Sequence, residues 1–116
     1  MKYETKSDKY TKARGGTSKF LILSCSNCDN DIILYQKDGV GTLVRLYLDK
    51  IVAPENLCNK LKLIKTKKDM HGLRCPVCNE LLAVPMIYEK ENRLAFKLLK
   101  NKLHKKEELS PLEWNI

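Results

Sequence analysis

The sequence predicts a small, mainly β protein in which two antiparallel sheets or hairpin units meet at one shared site. Three observations carry that expectation. Short apolar runs of strand-like composition recur along the chain at residues 20–23, 31–37, 43–48, 61–65, 81–88 and 93–99. Turn residues separate them. Two of the turns carry the same cysteine spacing, Cys25-Ser26-Asn27-Cys28 and Cys75-Pro76-Val77-Cys78.

Each element follows from local chemistry. Residues 20–23 form a continuous apolar strand that leads into the first cysteine turn, and residues 31–37 form the returning strand. Asp38-Gly39 between β-prone runs is a hairpin signal, so residues 37–42 read as a tight turn. In the next run Val44, Leu46 and Leu48 share a wholly apolar face and are assigned to the core. Pro54-Glu55-Asn56 marks the start of one short helical turn, and residues 61–65 read as a further strand. Pro85 suits an edge or bulged position in residues 81–88, because proline donates no ladder hydrogen bond. Residues 89–92 are a turn, and the strand after it is expected to run to about Leu99. Ser110-Pro111-Leu112-Glu113 has the form of a helix-capping box. The division is a flexible basic arm (1–18), a metal-binding β domain (19–106) and an acidic C-terminal tail (107–116).

The chain has 116 residues, a formal charge of +8, 43% apolar and 31% charged residues, which suits one small domain. Its longest uncharged, largely apolar run, residues 81–88, is less than half a bilayer crossing, so no membrane is expected. No apolar segment follows the N-terminal charges, so a reducing cytoplasmic setting is expected, and disulfides are disfavoured there. Four of the five cysteines then read as a metal site: Cys25, Cys28, Cys75 and Cys78. A Cys-x-x-Cys turn puts two sulfurs on one side of a tight knuckle, where both reach one tetrahedral ion. Two knuckles fill all four positions, which makes the site structural. Pro76 fixes φ in the second turn, and Asn79 can adopt the left-handed conformation just after it; Asn27, Asp29 and Asn30 offer the same in the first. Zinc is the expected ion, with iron in the same ligand set the alternative. Asp29 and Asn79 stand where a c-type haem motif needs His, and neither pair opens a helix as a thioredoxin-like site would.

Cys28 and Cys75 are separated by 46 residues. That long gap between paired cysteines resembles the β-tent proteins, in which two antiparallel sheets meet at a four-cysteine zinc site, more than an ordinary zinc ribbon. The group includes the B-type methionine sulfoxide reductases, a nucleotide-exchange chaperone for small GTPases, and relatives that bind degradation signals or small molecules. The resemblance rests on Cys25, Cys28, Cys75 and Cys78 and spans roughly residues 19–99. It implies the general fold. The reductases add an Arg-x-Cys-x-Asn strand after the second pair, whereas this chain has no cysteine after Cys78, and Cys58 lies earlier, in Asn56-Leu57-Cys58-Asn59, without the arginine.

Charge patterning points to function. Positive charge concentrates in residues 1–20 (net +4), 60–74 (net +5) and 97–106 (net +5). The second segment supplies Lys62, Lys65, Lys67, Lys68 and Arg74. The third supplies Lys97, Lys100, Lys102, Lys105 and Lys106. Sharing one face, they would track a phosphate backbone, and Tyr35, Tyr47, Tyr88 and Phe96 would stack on bases if exposed. Lysine far outnumbers arginine, which favours backbone-led contact over bidentate base reading. The expected function is a binding module for nucleic acid, RNA before DNA. The alternative is a protein-interaction adaptor or chaperone of β-tent type using an apolar cleft between the sheets. A lesser one is an enzyme using Cys58 or His71. His71 and His104 are assigned to the surface, and Cys58 reads as a small buried apolar group. No catalytic constellation is evident, and the sequence leaves the oligomeric state open.

Overall fold

The computed structural model describes residues 18–39 and 41–109. The expected basic residues of the arm before Ser18 and the capping box at Ser110–Glu113 lie outside them. The elements are β1 (Ser18–Cys25), β2 (Asp31–Asp38), β3 (Arg45–Tyr47), β4 (Ile51–Ala53), α1 (Glu55–Lys62), β5 (Leu73–Arg74), β6 (Leu81–Tyr88), β7 (Arg93–Leu98) and β8 (Leu103–Leu109). They form two four-stranded sheets, ordered β4-β2-β1-β8 and β3-β7-β6-β5, with every pairing antiparallel. The mainly β architecture with two sheets is the one expected.

Each sheet is built around one cysteine hairpin, β1–β2 in the first and β5–β6 in the second. Strand β1 is central, and its unbroken apolar run matches a strand covered on both faces. Leu21, Leu23, Ile33 and Tyr35 of the first sheet pack with Leu46, Leu82, Ala83 and Phe96 of the second in a single core, completed by Ile51, Leu61, Met70 and Leu73. One polar pin crosses between the sheets: the Tyr47 N–H on β3 donates to the Tyr35 hydroxyl on β2 at 2.8 Å. Tyr35 is 3% exposed. Its burial pushes the phenol well above the usual range, while the Tyr47 bond acts in the other direction. Tyr35→Phe therefore strands a buried N–H, and urea unfolding is expected to show a loss of about 1–3 kcal/mol. An unchanged midpoint would contradict the pin.

Several local expectations are corrected. Residues 37–42 are not a hairpin turn. Strand β2 already has β1 on one side and β4 on the other, so β3 finds no free edge there and joins the second sheet. Gly39 (φ 80°) and Gly41 (φ 108°) take up the positive φ angles on this passage between sheets. Residues 61–65 are not a strand. The helix extends from Glu55 to Lys62, and a turn follows at Leu63 and Ile64. Leu57, Leu61 and Ile64 recur at helical spacing against the core, with Lys60 and Lys62 at the favourable C-terminal end. The Val44–Leu46–Leu48 face is broken. Leu46 is fully buried, but Val44 lies before the three-residue strand and is 50% exposed, and Leu48 begins a 3-10 turn. The chain after Leu98 turns and returns as β8 alongside β1, so Glu107 and Glu108 belong to a strand. Pro85 sits on β6 past the two residues of β5, where the outer edge has no partner strand among the described residues.

Candidate metal centre

The four cysteines arrive in two nearly identical loops. In the first, Cys25 N–H donates to Asn30 O (3.0 Å) and Asp29 N–H to Cys25 O (2.8 Å). In the second, Cys75 N–H donates to Glu80 O and Asn79 N–H to Cys75 O, both at 2.9 Å. Both loops close through a left-handed residue, Asp29 (φ 59°) and Asn79 (φ 65°), residue types that tolerate that region. Of the three polar residues offered by the first loop, Asp29 takes this role. The other two serve the sulfurs: Asn30 Nδ2 donates to Cys28 Sγ at 3.2 Å, and the Asn27 side chain hydrogen-bonds Cys78.

The two loops face each other across the sheets. Cys25 Sγ lies 3.6 Å from Cys78 Sγ, and Cys28 Sγ 3.5 Å from Cys75 Sγ. All four sulfurs fall within 4.8 Å of one another. These distances far exceed a disulfide bond of about 2.05 Å. They lie close to the roughly 3.8 Å edge of a tetrahedron whose metal–sulfur bonds are about 2.3 Å long. Cys25 and Cys75 are buried, whereas Cys28 and Cys78 are half-buried. The cluster is a candidate structural metal-binding site with a complete set of four sulfur donors.

The thiols are electrostatically unequal. Hydrogen bonds from the Asn30 side chain and backbone pull Cys28 down to about 6. The Asn27 side chain and the Glu80 backbone lower Cys78. Burial pushes Cys25 up to about 11, against the backbone donors of Cys28 and Asn27. Val77 and Cys78 N–H groups point at Cys75 Sγ at 3.4 and 3.5 Å. Such donors around the sulfurs stabilise thiolate charge and orient the ligands.

A third segment braces both loops. Ser26 N–H donates to Lys102 O at 3.0 Å, and the Lys102 ammonium pairs with Glu80 beside the second loop. The turn before β8 therefore ties the first knuckle to the second. By charge alone Lys102 reads as one of a phosphate-facing cluster. Its bracing role depends on the β7–β8 turn, which the helical and strand periodicities of residues 94–103 obscure.

The basic residues differ in exposure and in partners. Lys62, Lys65, Lys67 and Lys68 are exposed on the end of α1 and the loop after it; Arg74 is exposed and donates to Asn79 O at 3.1 Å. Lys97 and Lys100 are exposed on β7 and its turn. Lys105 pairs with Glu108, and Lys106 lies 3.8 Å from Asp29 and 3.4 Å from Asp31. The aromatic residues do not form a stacking surface: Tyr35, Tyr47 and Phe96 are core, and Tyr88 is half-buried under the Arg45 guanidinium, 4.1 Å from its ring centre. Their apolar area is more favourably used between the sheets.

His71 is exposed. His104 is exposed as well, between Asp29 (3.3 Å) and Ser26 (3.4 Å). Cys58 is half-buried on α1, with its thiol 3.2 Å from Ile51 O. It lines a pocket with Leu61, Ile64, Arg93 and Leu94, and His71 is not part of that pocket. Among the described residues no helix is long and apolar enough to cross a membrane. No protein-family model matches this chain, and no curated protein or solved structure matches it.

Proposed function

We propose that this protein is a binding module of β-tent type, stapled by structural zinc, that contacts the phosphate backbone of nucleic acid through residues 62–74. The observation that carries the reading is the unbalanced exposure of Lys62, Lys65, Lys67 and Lys68. The one acid among them, Asp69, is engaged in capping: Thr66 N–H and hydroxyl both approach its carboxylate at 3.2 Å. The four ammonium groups are thus displayed on a segment held in place by its own turn and by Met70, which is buried in the core. Four closed sulfur positions leave no room for a metal-bound water, which supports a structural ion over a catalytic one. With the aromatic residues in the core, contact is backbone-led and indifferent to sequence. RNA is the partner to test first, with DNA the alternative.

Binding to fluorescent single-stranded RNA is expected to weaken about 50-fold between 50 and 200 mM salt if four phosphates are neutralised. The triple variant Lys65→Glu, Lys67→Glu, Lys68→Glu is expected to lose that binding while keeping its metal content and circular dichroism. Salt-independent binding, or full affinity in the triple variant, would refute the reading.

A further inference from the structure

A cleft of about 510 Å³ opens between the two sheets, away from the lysines of residues 62–74. Its floor is leucine: Leu21 and Leu23 from β1, Leu103 from β8, Leu98 from β7, and Leu43 from the passage between the sheets. Among the described residues its rim is basic, with Lys19, Lys37 and Lys105 against the carboxylate of Glu108. Glu108 lies between two of those lysines, 3.2 Å from Lys19 and 3.4 Å from Lys105. Lys37 Nζ donates to a neutral acceptor, Gly39 O, at 3.0 Å. Among the described residues, three ammoniums and one carboxylate leave the rim at +2.

We infer that this cleft is a second binding site, for a small amphipathic anion with one carboxylate head and an unbranched apolar tail. The volume falls in the range of small-molecule sites, which pair a mostly apolar lining with a few placed polar groups. The tail covers the half-buried Leu43, Leu98 and Leu103 above the buried Leu21 and Leu23, and the head meets Lys37 and displaces Glu108 from the lysines it bridges. An inorganic anion leaves the floor unused. A neutral or cationic lipid leaves the rim unmatched or repelled. A polynucleotide has no apolar segment to seat between the sheets.

Glu108 makes the inference testable by gain as well as loss, because it competes with the incoming head for Lys19 and Lys105. Titration calorimetry with decanoate, decyltrimethylammonium and an acidic leucine-containing peptide reads the outcome on the metal-loaded protein. Saturable one-to-one binding of decanoate and none of the cation is expected. Lys37→Glu should weaken it at least tenfold, and Glu108→Gln should tighten it severalfold. Leu98→Asp should abolish it, with metal content and circular dichroism confirming that the variants fold. Equal binding of both amphiphiles, no binding of either, or decanoate affinity unmoved by Lys37→Glu and Glu108→Gln would overturn the inference. Peptide binding that decanoate fails to displace would overturn it too, and would make the cleft a protein-docking groove. None of these outcomes depends on whether RNA binds at residues 62–74.

Discussion

Cys75→Ser is expected to abolish stoichiometric metal binding and, with it, the cooperative unfolding transition. Structural zinc in small peptides contributes roughly 10 kcal/mol of apparent binding free energy at neutral pH. A domain of this size has a net stability of only about 5–15 kcal/mol. Losing the ion therefore removes a quantity comparable to the whole margin. The geometry says why the loss cannot be absorbed locally: Cys75 is buried at the sheet junction, and its sulfur sits 3.5 Å from Cys28 of the opposite loop. Without an ion, only weak sulfur–sulfur hydrogen bonds join the two loops across the sheets. Elemental analysis, near-ultraviolet circular dichroism and thermal melting check the result together. A strong chelator should reproduce it in the unaltered protein. Cys58→Ser is the internal control, since that thiol lies on α1 outside the sulfur cluster, and it should retain one equivalent of metal. A fully cooperative melt in metal-free Cys75→Ser would show that the leucine-rich core holds the sheets unaided.

The four-cysteine cluster was legible because its information is local. Four residues at two fixed spacings, with left-handed formers behind each pair, specify the knuckles before any long-range contact is known. Strands β1, β2, β6 and β7 were equally visible, each being a hairpin arm beside a recognisable turn. What remained hidden was relational. Asp38-Gly39 has the composition of a hairpin turn, and nothing nearby reveals that both edges of β2 are already occupied, which sends β3 into the other sheet. Residues 57–64 satisfy an alternating and a helical pattern at once, and only the burial of Leu61 with Ile51 against the core decides for the helix. The lysines of residues 97–106 look like one patch. The fold gives Lys102 to Glu80, Lys105 to Glu108 and Lys106 to Asp29 and Asp31, partners as many as 77 residues away. Charge counting sees none of these partners.

Lys50→Met is expected to destabilise the fold by about 3–5 kcal/mol, the cost of removing one member of a buried ion pair. Lys50 Nζ lies 3.2 Å from Asp38 Oδ2, and each side chain is only 3% exposed. Ser18 Oγ and Gln36 Nε2 donate to the other carboxylate oxygen at 2.6 and 2.9 Å. Burial alone would raise the Asp38 pKa, but the donors Ser18 and Gln36, with the Lys50 charge, outweigh it and hold the group below the ordinary carboxylate range. The sign follows directly. A folded-state value below the unfolded one means that ionised Asp38 stabilises the fold above the unfolded pKa of about 4, and the contribution fades as pH falls through the folded value. Asp31, lowered first by Ser24 and then by Lys106, fades in the same window. In Lys50→Met the burial penalty has less to oppose it, so protonating Asp38 relieves a charge that has lost its ammonium partner. The gap between variant and parent should therefore narrow between pH 6 and pH 4, as read by urea midpoints at both values. The double variant Lys50→Met, Asp38→Asn should recover much of the single-variant loss, because it removes the buried charge while the amide oxygen still accepts from Ser18 and Gln36. A gap that widens in acid, or a double variant no better than Lys50→Met, would mean that this pair is held by its neighbours rather than by its own charges.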